Sequence, residues 1–332
     1  MTDDKRGSLF AGLAKSGHLS SVICHLSFVS LRISRLWPDI VYAGSRECEI
    51  FKLTMGYLNL GVVGTGLIGG SIALAGSRAG YRVTFYEPAS SPVEAVVSGA
   101  VRAAGLDELA TSSDLIFIAT PVSSIASVAE RLAHKVKANA IVSDVASVKG
   151  PVFSRLSEIL NGRCFYIPSH PMAGSEKSGL EAARVNLFES AVTIISPDVC
   201  QDKAVLERLI HFWRQAGSVP LVLDVPTHDR LVAAVSHLPH LVAAILMMHA
   251  AEFASEGLAF VGNGFRDSTR IAAGSPELWQ EILLANRSDL LTNLYRFRDT
   301  LNETIGVLEA NDVKSLQAFL DAAKRSRDKL IG

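Results

Sequence analysis

Cysteine, net charge and long apolar runs are all scarce in this sequence, and each scarcity excludes a class of protein. The four cysteines are widely scattered and lack metal-ligand spacing, so we expect reduced thiols in a reducing compartment and no cysteine-based metal site. A net charge of −1 gives no general attraction to nucleic acid or to an anionic membrane. No uninterrupted apolar run reaches the ~20 residues of a transmembrane helix. We therefore expect neither nucleic acid nor a membrane as a partner.

The length and the N-terminal composition of the chain predict two domains preceded by an extension. The 332 residues exceed one ordinary hydrophobic core. Residues 1–55 stand apart, because positions 5–36 contain five basic residues and no acid. This composition resembles an organellar transit peptide, and a natural start at Met55 is a second explanation. We expect a cytoplasmic protein whose residues 1–55 the fold does not need; organellar import is the alternative.

Short β-branched runs alternate with amphipathic segments from residue 57 to residue 222, a pattern typical of βαβ units. The runs are almost wholly apolar, as expected of strands covered on both faces. We therefore predict an α/β domain over residues 56–224, with a Rossmann-like doubly wound parallel sheet. The predicted strands are 58–63, 82–86, 115–120, 140–144, 164–168, 192–196 and 220–223. The predicted helices are 67–79, 122–134, 149–160 and 203–216.

Residues 225–332 are predicted to form an all-α domain. A long apolar helix is expected over 226–254, interrupted at Pro239, which lacks the N–H of a continuous helix. A Gly-rich loop is expected over 257–275, followed by helices over 276–310 and 313–330. Residues 241–248 are all apolar, and such a region has more hydrophobic surface than it can easily bury alone. We therefore expect a homodimer through these helices, with a self-contained bundle as the alternative.

The motif Gly64-Thr65-Gly66-Leu67-Ile68-Gly69 lies between the first predicted strand and the first predicted helix. In a G-x-G-x-x-G motif the first glycine permits a tight turn and the second lets the backbone approach a pyrophosphate. The third glycine allows close packing of helix on strand. An acidic residue that holds ribose hydroxyls is expected about 20 positions later, and Glu87 follows the second predicted strand. Because a carboxylate repels a 2′-phosphate, we expect NAD as the cofactor and NADP as the alternative.

Polar residues follow three further predicted strands, at the edge where open α/β sheets bind ligands. Thr120 and Pro121 end the first, Ser147 follows the second and His170 follows the third, so we expect one crevice with Thr120 and Pro121 on its cofactor side. Histidine is a natural base for a hydroxyl that is oxidised, since its pKa is near neutrality. A purely structural histidine is the alternative. Ser147 either donates a hydrogen bond to the substrate or caps the helix that starts near Lys149.

Two groups in the predicted helical domain have chemistry suited to a substrate. His237 and His240 flank Pro239, where a kink can turn imidazoles toward a ligand. No third residue has convincing metal-ligand spacing, so we expect a substrate or structural role and no metal.

The second group contains Arg266, Arg270, Asp267 and Trp279. The two arginines, beside a Gly-rich loop, suit a carboxylate-bearing substrate, because a guanidinium binds carboxylates bidentately. Asp267 is placed to orient an arginine, and Trp279 to form a wall of the pocket. A surface ion-pair network is the alternative.

Together these motifs resemble the prephenate/arogenate dehydrogenase family of tyrosine biosynthesis. The resemblance covers about residues 57–332. Beside the glycine motif it is carried by Ser147-Val-Lys-Gly150, His170-Pro-Met-Ala-Gly-Ser-Glu-Lys-Ser-Gly179, Ser236-His-Leu-Pro-His240 and Phe265-Arg-Asp-Ser-Thr-Arg-Ile-Ala272. It implies an NAD(P)-dependent dehydrogenase, dimeric through its helical domain, that converts prephenate to 4-hydroxyphenylpyruvate with loss of carbon dioxide.

The resemblance also implies roles for individual residues. His170 is expected to hydrogen-bond the C4 hydroxyl of a cyclohexadienyl substrate and to accept its proton, with Ser147 assisting there. Arg270 is expected to bind the ring carboxylate that leaves as carbon dioxide. The pocket-lining or gating positions of the family correspond to Ser175, Glu176, His240, Asp267 and Trp279.

Three alternative functions stay open at this stage. The first is arogenate dehydrogenase, which yields tyrosine directly. The second is a β-hydroxyacid dehydrogenase or imine-reducing enzyme, but those enzymes usually rely on a lysine near the start of the helical domain, where this chain has His228 and Asp229. The third is a dimer that senses NAD without turnover.

Overall fold

The computed structural model describes residues 58–87, 96–175, 177–253 and 261–331. The predicted extension, residues 1–55, and Glu176 lie outside the described residues. Residues 57–296 form one compact unit, and residues 297–332 belong to another. The two units are described separately below, and every candidate site residue that is described lies in the first.

The first unit begins with a parallel sheet whose described strands follow the order β3-β2-β1-β4-β5-β6. This is a doubly wound order, and it confirms the predicted fold class. Strand β3 escaped prediction because two residues carry no recognisable pattern. The strands are β1 Asn59–Val63, β2 Arg82–Tyr86, β3 Val101–Arg102, β4 Leu115–Ile118, β5 Ile141–Asp144 and β6 Phe165–Tyr166.

Helices cover both faces of this sheet, which explains why its strands are so apolar. All four residues of β4 and of β5 are buried. On one face the rings of Phe117, Phe212 and Trp213 pack together, with the Phe117 and Phe212 centroids 4.8 Å apart. The helices are α1 Leu67–Arg78, α2 Leu106–Ser112, α3 Val122–Ala133, α4 Gly150–Leu160 and α5 Lys203–Gln215.

The structure has a second, three-stranded sheet in addition to the six-stranded one, whereas the sequence predicted a single sheet. Its strands are β7 Ser169–Pro171, β8 Val192–Ile195 and β9 Val219–Val222, in the order β7-β8-β9. Strand β7 runs antiparallel to β8, and β9 runs parallel to it. The chain leaves the first sheet at Pro168, whose ring fixes φ and which has no N–H. The predicted strand 164–168 is present as the shorter β6, but His170 lies within a further strand, β7, that the sequence did not predict.

The helical region starts with one nearly continuous apolar run. It consists of α6 Val225–Val232, a π-helical turn Ala233–His237 and α7 Leu238–Ala251. The predicted irregularity is present, but the widened turn precedes Pro239, the second residue of α7. A π-turn lets a helix tolerate the missing proline N–H, and such turns are frequent at functional sites.

Two predictions further along the chain need correction. Within the predicted loop 257–275 the structure has α8 Asn263–Thr269 and a 3₁₀ turn Arg270–Ala273. The glycines misled the prediction, because Gly262 and Gly274 lie at the ends of these elements instead of breaking them. The predicted helix 276–310 is divided at Asn286 into α9 Pro276–Ala285 and α10 Arg287–Glu309.

Residues 297–331 contain the end of α10 and helix α11 Val313–Ile331. The break between them falls at Asn311, which has a φ of 50°, a conformation that asparagine adopts more readily than most residues. The predicted break at Asn311 and Asp312 is confirmed. Several large apolar side chains of these two helices are exposed, including Leu301, Leu308 and Leu320.

Candidate active site

His170 lies in the middle of β7 and is 7% exposed. It forms part of the wall of a cavity of about 440 Å³. The same wall contains the first residues of α1, the loop after β5, the π-turn, the 3₁₀ turn and α9. Its lining residues include Leu67, Ile68, Ser147, Ser175, Ser236, His237, Arg270, Ile271, Gly274, Leu278 and Trp279. The cavity therefore joins the glycine motif to the polar residues predicted for a substrate.

The glycine motif is shaped for a dinucleotide. Gly64 has a φ of +87°, and a methyl group built there would lie 2.8 Å from the carbonyl oxygen of Ala119. A methyl group built on Gly66 would instead project into open space, so the backbone there is accessible to a ligand. Gly66 begins α1 without a side-chain cap, which leaves backbone N–H groups to bind an anion. These features fit the pyrophosphate of a dinucleotide cofactor.

Glu87 and Thr65 connect the end of β2 to this motif. The Glu87 carboxylate accepts hydrogen bonds from Thr65 N at 2.9 Å and from Thr65 Oγ1 at 3.1 Å. Glu87 thus lies beside the motif, where the sequence predicted an acid for ribose hydroxyls.

Thr120 lies beside the glycine motif, since its Cγ2 atom is 3.0 Å from a methyl group built on Gly64, and neither Thr120 nor Pro121 is part of the cavity wall. The Oγ1 atom of Thr120 is buried and has no hydrogen-bond partner within the described part of the chain. Pro121 is the N-cap residue of α3. A buried, unpartnered hydroxyl at this edge of the sheet is consistent with the predicted contact to a cofactor.

Ser147 is half-buried and lines the cavity. Its alternative role as the cap of α4 is wrong, because that helix has no side-chain cap from its own N-cap residue. Instead, Asp229 of α6 accepts the backbone N–H groups of Lys149 at 2.9 Å and of Gly150 at 2.7 Å. A carboxylate at a helix N-terminus is also favoured by the helix dipole. The Ser147 hydroxyl is left for a ligand.

A chain of buried side chains extends from His170 away from the cavity. His170 Nδ1 lies 2.8 Å from His228 Nε2, and His228 Nδ1 lies 2.7 Å from Asp229 Oδ1. Burial lowers the pKa of His170 well below its ordinary value, and the neighbouring His228, Lys149 and His237 act in the same direction. Burial also lowers the pKa of His228, although Asp229 opposes that shift. Both imidazoles are therefore neutral near pH 7.

A buried ion pair lies behind this chain. Lys149 Nζ is 2.6 Å from Asp144 Oδ1, and the hydroxyl of Tyr166 donates to Asp144 Oδ2 at 2.7 Å. Burial lowers the pKa of Lys149, and the Asp144 carboxylate partly restores it. Burial and Asp144 together raise the pKa of Tyr166 well above its ordinary value. Each of these polar groups has a partner, as buried charges require.

His237 and His240 lie close to Trp279. The His240 ring stacks on Trp279 with centroids 3.4 Å apart, and His237 lines the cavity. Asn286 Nδ2 lies 3.2 Å from His237 Nδ1 and donates to the carbonyl oxygen of Asp229 at 2.8 Å. Burial lowers the pKa of His237 to about 4, so this ring is neutral at pH 7. Its Nε2 atom is buried without a partner among the described residues and is available to a ligand.

Arg270 lines the cavity, and its exposed guanidinium makes no hydrogen bond or ion pair with the described residues. Asp267 is exposed on α8, lies outside the cavity wall and makes no ion pair with an arginine in that part of the chain. The expectations that Asp267 orients an arginine and that an ion-pair network forms there are therefore not met. Ser175 lines the cavity, and its Oγ atom accepts the N–H of Lys177 at 3.1 Å.

Within the described residues, no group of three or more His, Cys, Asp and Glu side chains is placed to hold a metal ion. The two described cysteines, Cys164 and Cys200, are both free. Burial raises the pKa of the Cys164 thiol to about 12, so it is protonated and unreactive at neutral pH.

Sequence reasoning missed the residues behind the cavity wall. His228 and Asp229 were noted only because they stand where related enzymes have a lysine, and Lys149 and Asn286 were given no site role. The sequence offered Ser147 as a local cap for α4, so no local signal indicated that a distant acceptor binds the N–H groups there. Which residue supplies that acceptor depends on tertiary contacts.

The fold and the cavity together define a class. In this structure one cavity joins the glycine motif of a doubly wound sheet to a buried histidine and to an arginine that has no partner in the described part of the chain. This is the arrangement of an NAD(P)-dependent dehydrogenase. The sequence matches the family "Prephenate dehydrogenase, nucleotide-binding domain" over residues 72–222 and "Prephenate dehydrogenase, dimerization domain" over residues 224–322. The chain belongs to the prephenate dehydrogenase family.

Individual relatives agree with this assignment. The prephenate dehydrogenase of Bacillus subtilis (strain 168) is 34% identical over 284 residues, which is 81% of this chain and 75% of that protein. The crystal structure of prephenate dehydrogenase from Aquifex aeolicus, in complex with hydroxyphenyl propionate and NAD+, is similar with a TM-score of 0.74 and 27% identity, over 83% of this chain and 99% of that one. Synechocystis arogenate dehydrogenase is similar with a TM-score of 0.73 and 29% identity, over 82% of this chain and 100% of that one.

Proposed function

We propose that this protein catalyses the NAD-dependent oxidative decarboxylation of prephenate to 4-hydroxyphenylpyruvate, a step of tyrosine biosynthesis. The observation that carries the proposal is the composition of the cavity wall. It places the start of the glycine-motif helix, a buried histidine, a serine hydroxyl and an arginine that has no partner among the described residues around one space of about 440 Å³. Such a space suits a small cyclic carboxylate next to a nicotinamide.

The glycine motif and Glu87 are the residues that hold NAD in this proposal. The N–H groups at the start of α1 would bind the pyrophosphate, and Glu87, which accepts a hydrogen bond from Thr65 N, would accept the ribose hydroxyls. When bound, NAD would supply the hydride acceptor of the reaction. Because the Glu87 carboxylate repels a 2′-phosphate, NAD is preferred and NADP is the weaker alternative.

Three side chains divide the chemistry on the substrate. His170 accepts the proton of the C4 hydroxyl at Nε2, since Nδ1 is engaged with His228. Ser147 hydrogen-bonds the same hydroxyl. Arg270 holds the ring carboxylate, whose loss as carbon dioxide leaves an aromatic ring and makes the step irreversible. The enzyme therefore needs to orient the ring, take one proton and fix one carboxylate.

Arogenate is the second candidate substrate, because an arogenate dehydrogenase is among the similar structures. Prephenate has a keto acid side chain, whereas arogenate has an amino acid side chain with an ammonium group. The described lining residues include the cation Arg270 and no carboxylate, so an ammonium group finds no counter-ion among them. This composition favours prephenate.

A homodimer through the helical region completes the proposal. By length and composition alone, the run Val225–Ala251 is apolar enough to cross a membrane, and only 28% of its most apolar window is buried. The run also contains His228, Asp229 and His237, which belong to the site. Ile245 and Met248 are 56% and 71% exposed, and we assign this surface to a second subunit of a cytoplasmic enzyme. Analytical ultracentrifugation of a Met248→Glu variant tests the assignment: dissociation supports it, and a monomeric wild-type protein contradicts it.

Side-by-side kinetics test the substrate and the cofactor. The purified full-length chain is assayed for NADH or NADPH formation with prephenate and with arogenate. We expect kcat/KM for prephenate with NAD to exceed every other combination at least tenfold, which is about 1.4 kcal/mol of differential transition-state binding. A tenfold preference for arogenate would reverse the substrate assignment. NAD binding in calorimetry without turnover of either substrate would indicate a sensor.

A further inference from the structure

Two hydrogen bonds connect the buried side chains of His170, His228 and Asp229 in a row, and further hydrogen bonds fix the residue at its end. His228 is fully buried and is not part of the cavity wall, so it contacts the substrate space only through His170. Asp229 is held by three contacts from other elements. Its carboxylate accepts the N–H groups of Lys149 and Gly150, and its carbonyl oxygen accepts from Asn286. The carboxylate that ends the chain therefore has one fixed orientation.

The chemistry of the three groups gives this chain a direction. A carboxylate can only accept hydrogen bonds, and hydrogen bonding lowers the pKa of Asp229 below its ordinary value against the effect of burial. His228 Nδ1 must therefore carry the hydrogen that Asp229 accepts. Because His228 is neutral, its Nε2 has a lone pair and accepts from His170 Nδ1. His170 is then protonated at Nδ1 and unprotonated at Nε2.

We propose that His228 and Asp229 are positioning residues that hold His170 in the tautomer with a free lone pair at Nε2, and that stabilise the cation formed when Nε2 takes a proton. This inference rests on the proposed function, in which His170 is the base. In serine proteases an aspartate hydrogen-bonds the catalytic histidine directly and fixes its tautomer. Here a second imidazole stands between the carboxylate and the base.

The charges around His170 explain why the hydrogen-bonded chain to Asp229 is needed. A protonated imidazole at this buried position is costly unless it is paired. Lys149 opposes the cation, although its charge is largely matched by Asp144 at 2.6 Å. His237 is neutral, and Arg270 adds a second positive charge on the cavity wall. Among these neighbours the negative charge directed toward His170 comes through His228 from Asp229.

Nitrogen NMR of the full-length protein reads the tautomer without reference to activity. Histidine imidazoles are labelled with ¹⁵N, and the His170 signals are identified by their absence from a His170→Gln variant. We expect a protonated Nδ1 and an unprotonated Nε2 at pH 7. In Asp229→Ala the carboxylate is lost, so His228 Nδ1 has no fixed acceptor and the His170 proton should no longer be confined to Nδ1. A wild-type His170 protonated at Nε2 would overturn the proposal.

Steady-state kinetics separate positioning from mere support of the fold. His228→Leu removes the acceptor for His170 Nδ1, and we expect kcat to fall by about 10²–10³-fold while KM changes less than about threefold. His228→Gln retains an acceptor at the same place and should restore kcat to within about tenfold of wild type. Val232→Ala is the matched control, since Val232 is equally buried on α6 and lies outside the chain. Its truncation is expected to lower stability but not kcat.

The outcomes distinguish this inference from the function on which it rests. If wild-type protein does not turn over prephenate, the proposed function fails. The tautomer measured by NMR still shows whether His228 and Asp229 hold His170 with a free lone pair at Nε2. Equal losses of kcat in His228→Leu, His228→Gln and Val232→Ala would mean that His228 supports only the fold, which contradicts the proposal. If His228→Leu does not fold, the kinetics of His228→Gln and the tautomer of His170 in the wild type decide whether the proposal holds.

Discussion

Replacement of Arg270 by glutamine removes the cation that the cavity offers to a carboxylate. The guanidinium has no hydrogen-bond or ion-pair partner among the described residues, so the substitution breaks no contact of the protein there. A bidentate guanidinium–carboxylate contact provides two charge-assisted hydrogen bonds. Because Arg270 is exposed, we take the low end of their usual worth, about 2–3 kcal/mol in total.

That loss corresponds to a decrease in kcat/KM for prephenate of roughly 30- to 150-fold. Arg270→Lys keeps the charge but not the planar fork, and a decrease of about tenfold is expected. The matched control is Arg266→Gln, on α8 and outside the cavity wall. There the Nε atom donates to the carbonyl oxygen of Val261 at a long 3.4 Å. A change of less than about twofold is expected for this control.

The assay is initial-rate NADH formation at several salt concentrations. KM of the wild type should rise with ionic strength, because an exposed ion pair is screened, and KM of Arg270→Gln should respond less. Equal kcat/KM values for Arg270→Gln and Arg266→Gln would refute the role of Arg270 as the carboxylate ligand.

Three further predictions concern other parts of the site. In Gly274→Ala the new methyl group would lie 2.5 Å from Nε1 of Trp279, so the indole that stacks on His240 must move; KM should rise about tenfold and the unfolding free energy should fall by about 1–3 kcal/mol. In Gly64→Ala a side chain is forced to a φ of +87°, and calorimetry should show NAD binding weakened at least tenfold, whereas unchanged affinity would exclude the motif as the cofactor site. His237 has a pKa of about 4 when folded and about 6.5 when unfolded, so the unfolded chain binds more protons between these values and stability falls as the pH drops through this window. Urea unfolding at pH 7 and pH 4.5 should show a smaller loss in His237→Gln than in the wild type, by up to about 3 kcal/mol, while the loss from the other buried histidines remains in both proteins; equal losses in the two proteins would contradict it.

The parts of the fold that the sequence predicted well are those in which one local pattern dominates. Every residue of strands β4 and β5 is buried, so their mostly apolar sequences identify them without tertiary information. The helices that follow them begin within one residue of prediction, because Pro121 and Pro151 lie at their starts.

The parts that failed depend on contacts between distant segments. The crossover at Pro168 into a second sheet is decided by pairing of β7 with β8, which no local pattern encodes. The glycines around residue 263 suggested a loop, but Gly262 is the N-cap residue of α8 and Gly264 lies in its first turn, where neither interrupts the helix. The break at Asn286 is stabilised by its side-chain contacts with Asp229 and His237.

The site divides in the same way. His170, Ser147 and Arg270 belong to motifs whose residue types already suggested chemistry, and the structure brings all three to one cavity. His228 and Asp229 are part of an ordinary amphipathic helix in the sequence. Their importance comes from contacts with distant parts of the chain. His228 contacts His170, 58 residues away, and Asp229 contacts Gly150 at the N-terminus of α4, 79 residues away.

The most direct test of the central claim is the turnover number of His170→Asn with prephenate and NAD, measured beside NAD affinity by calorimetry. If His170 accepts the proton of the substrate hydroxyl, kcat should fall by roughly 10²–10⁴-fold. NAD affinity should stay within about twofold of wild type, because the glycine motif and Glu87 are untouched. Normal turnover by the His170→Asn variant would contradict the account, since no proton acceptor would then be needed at this position.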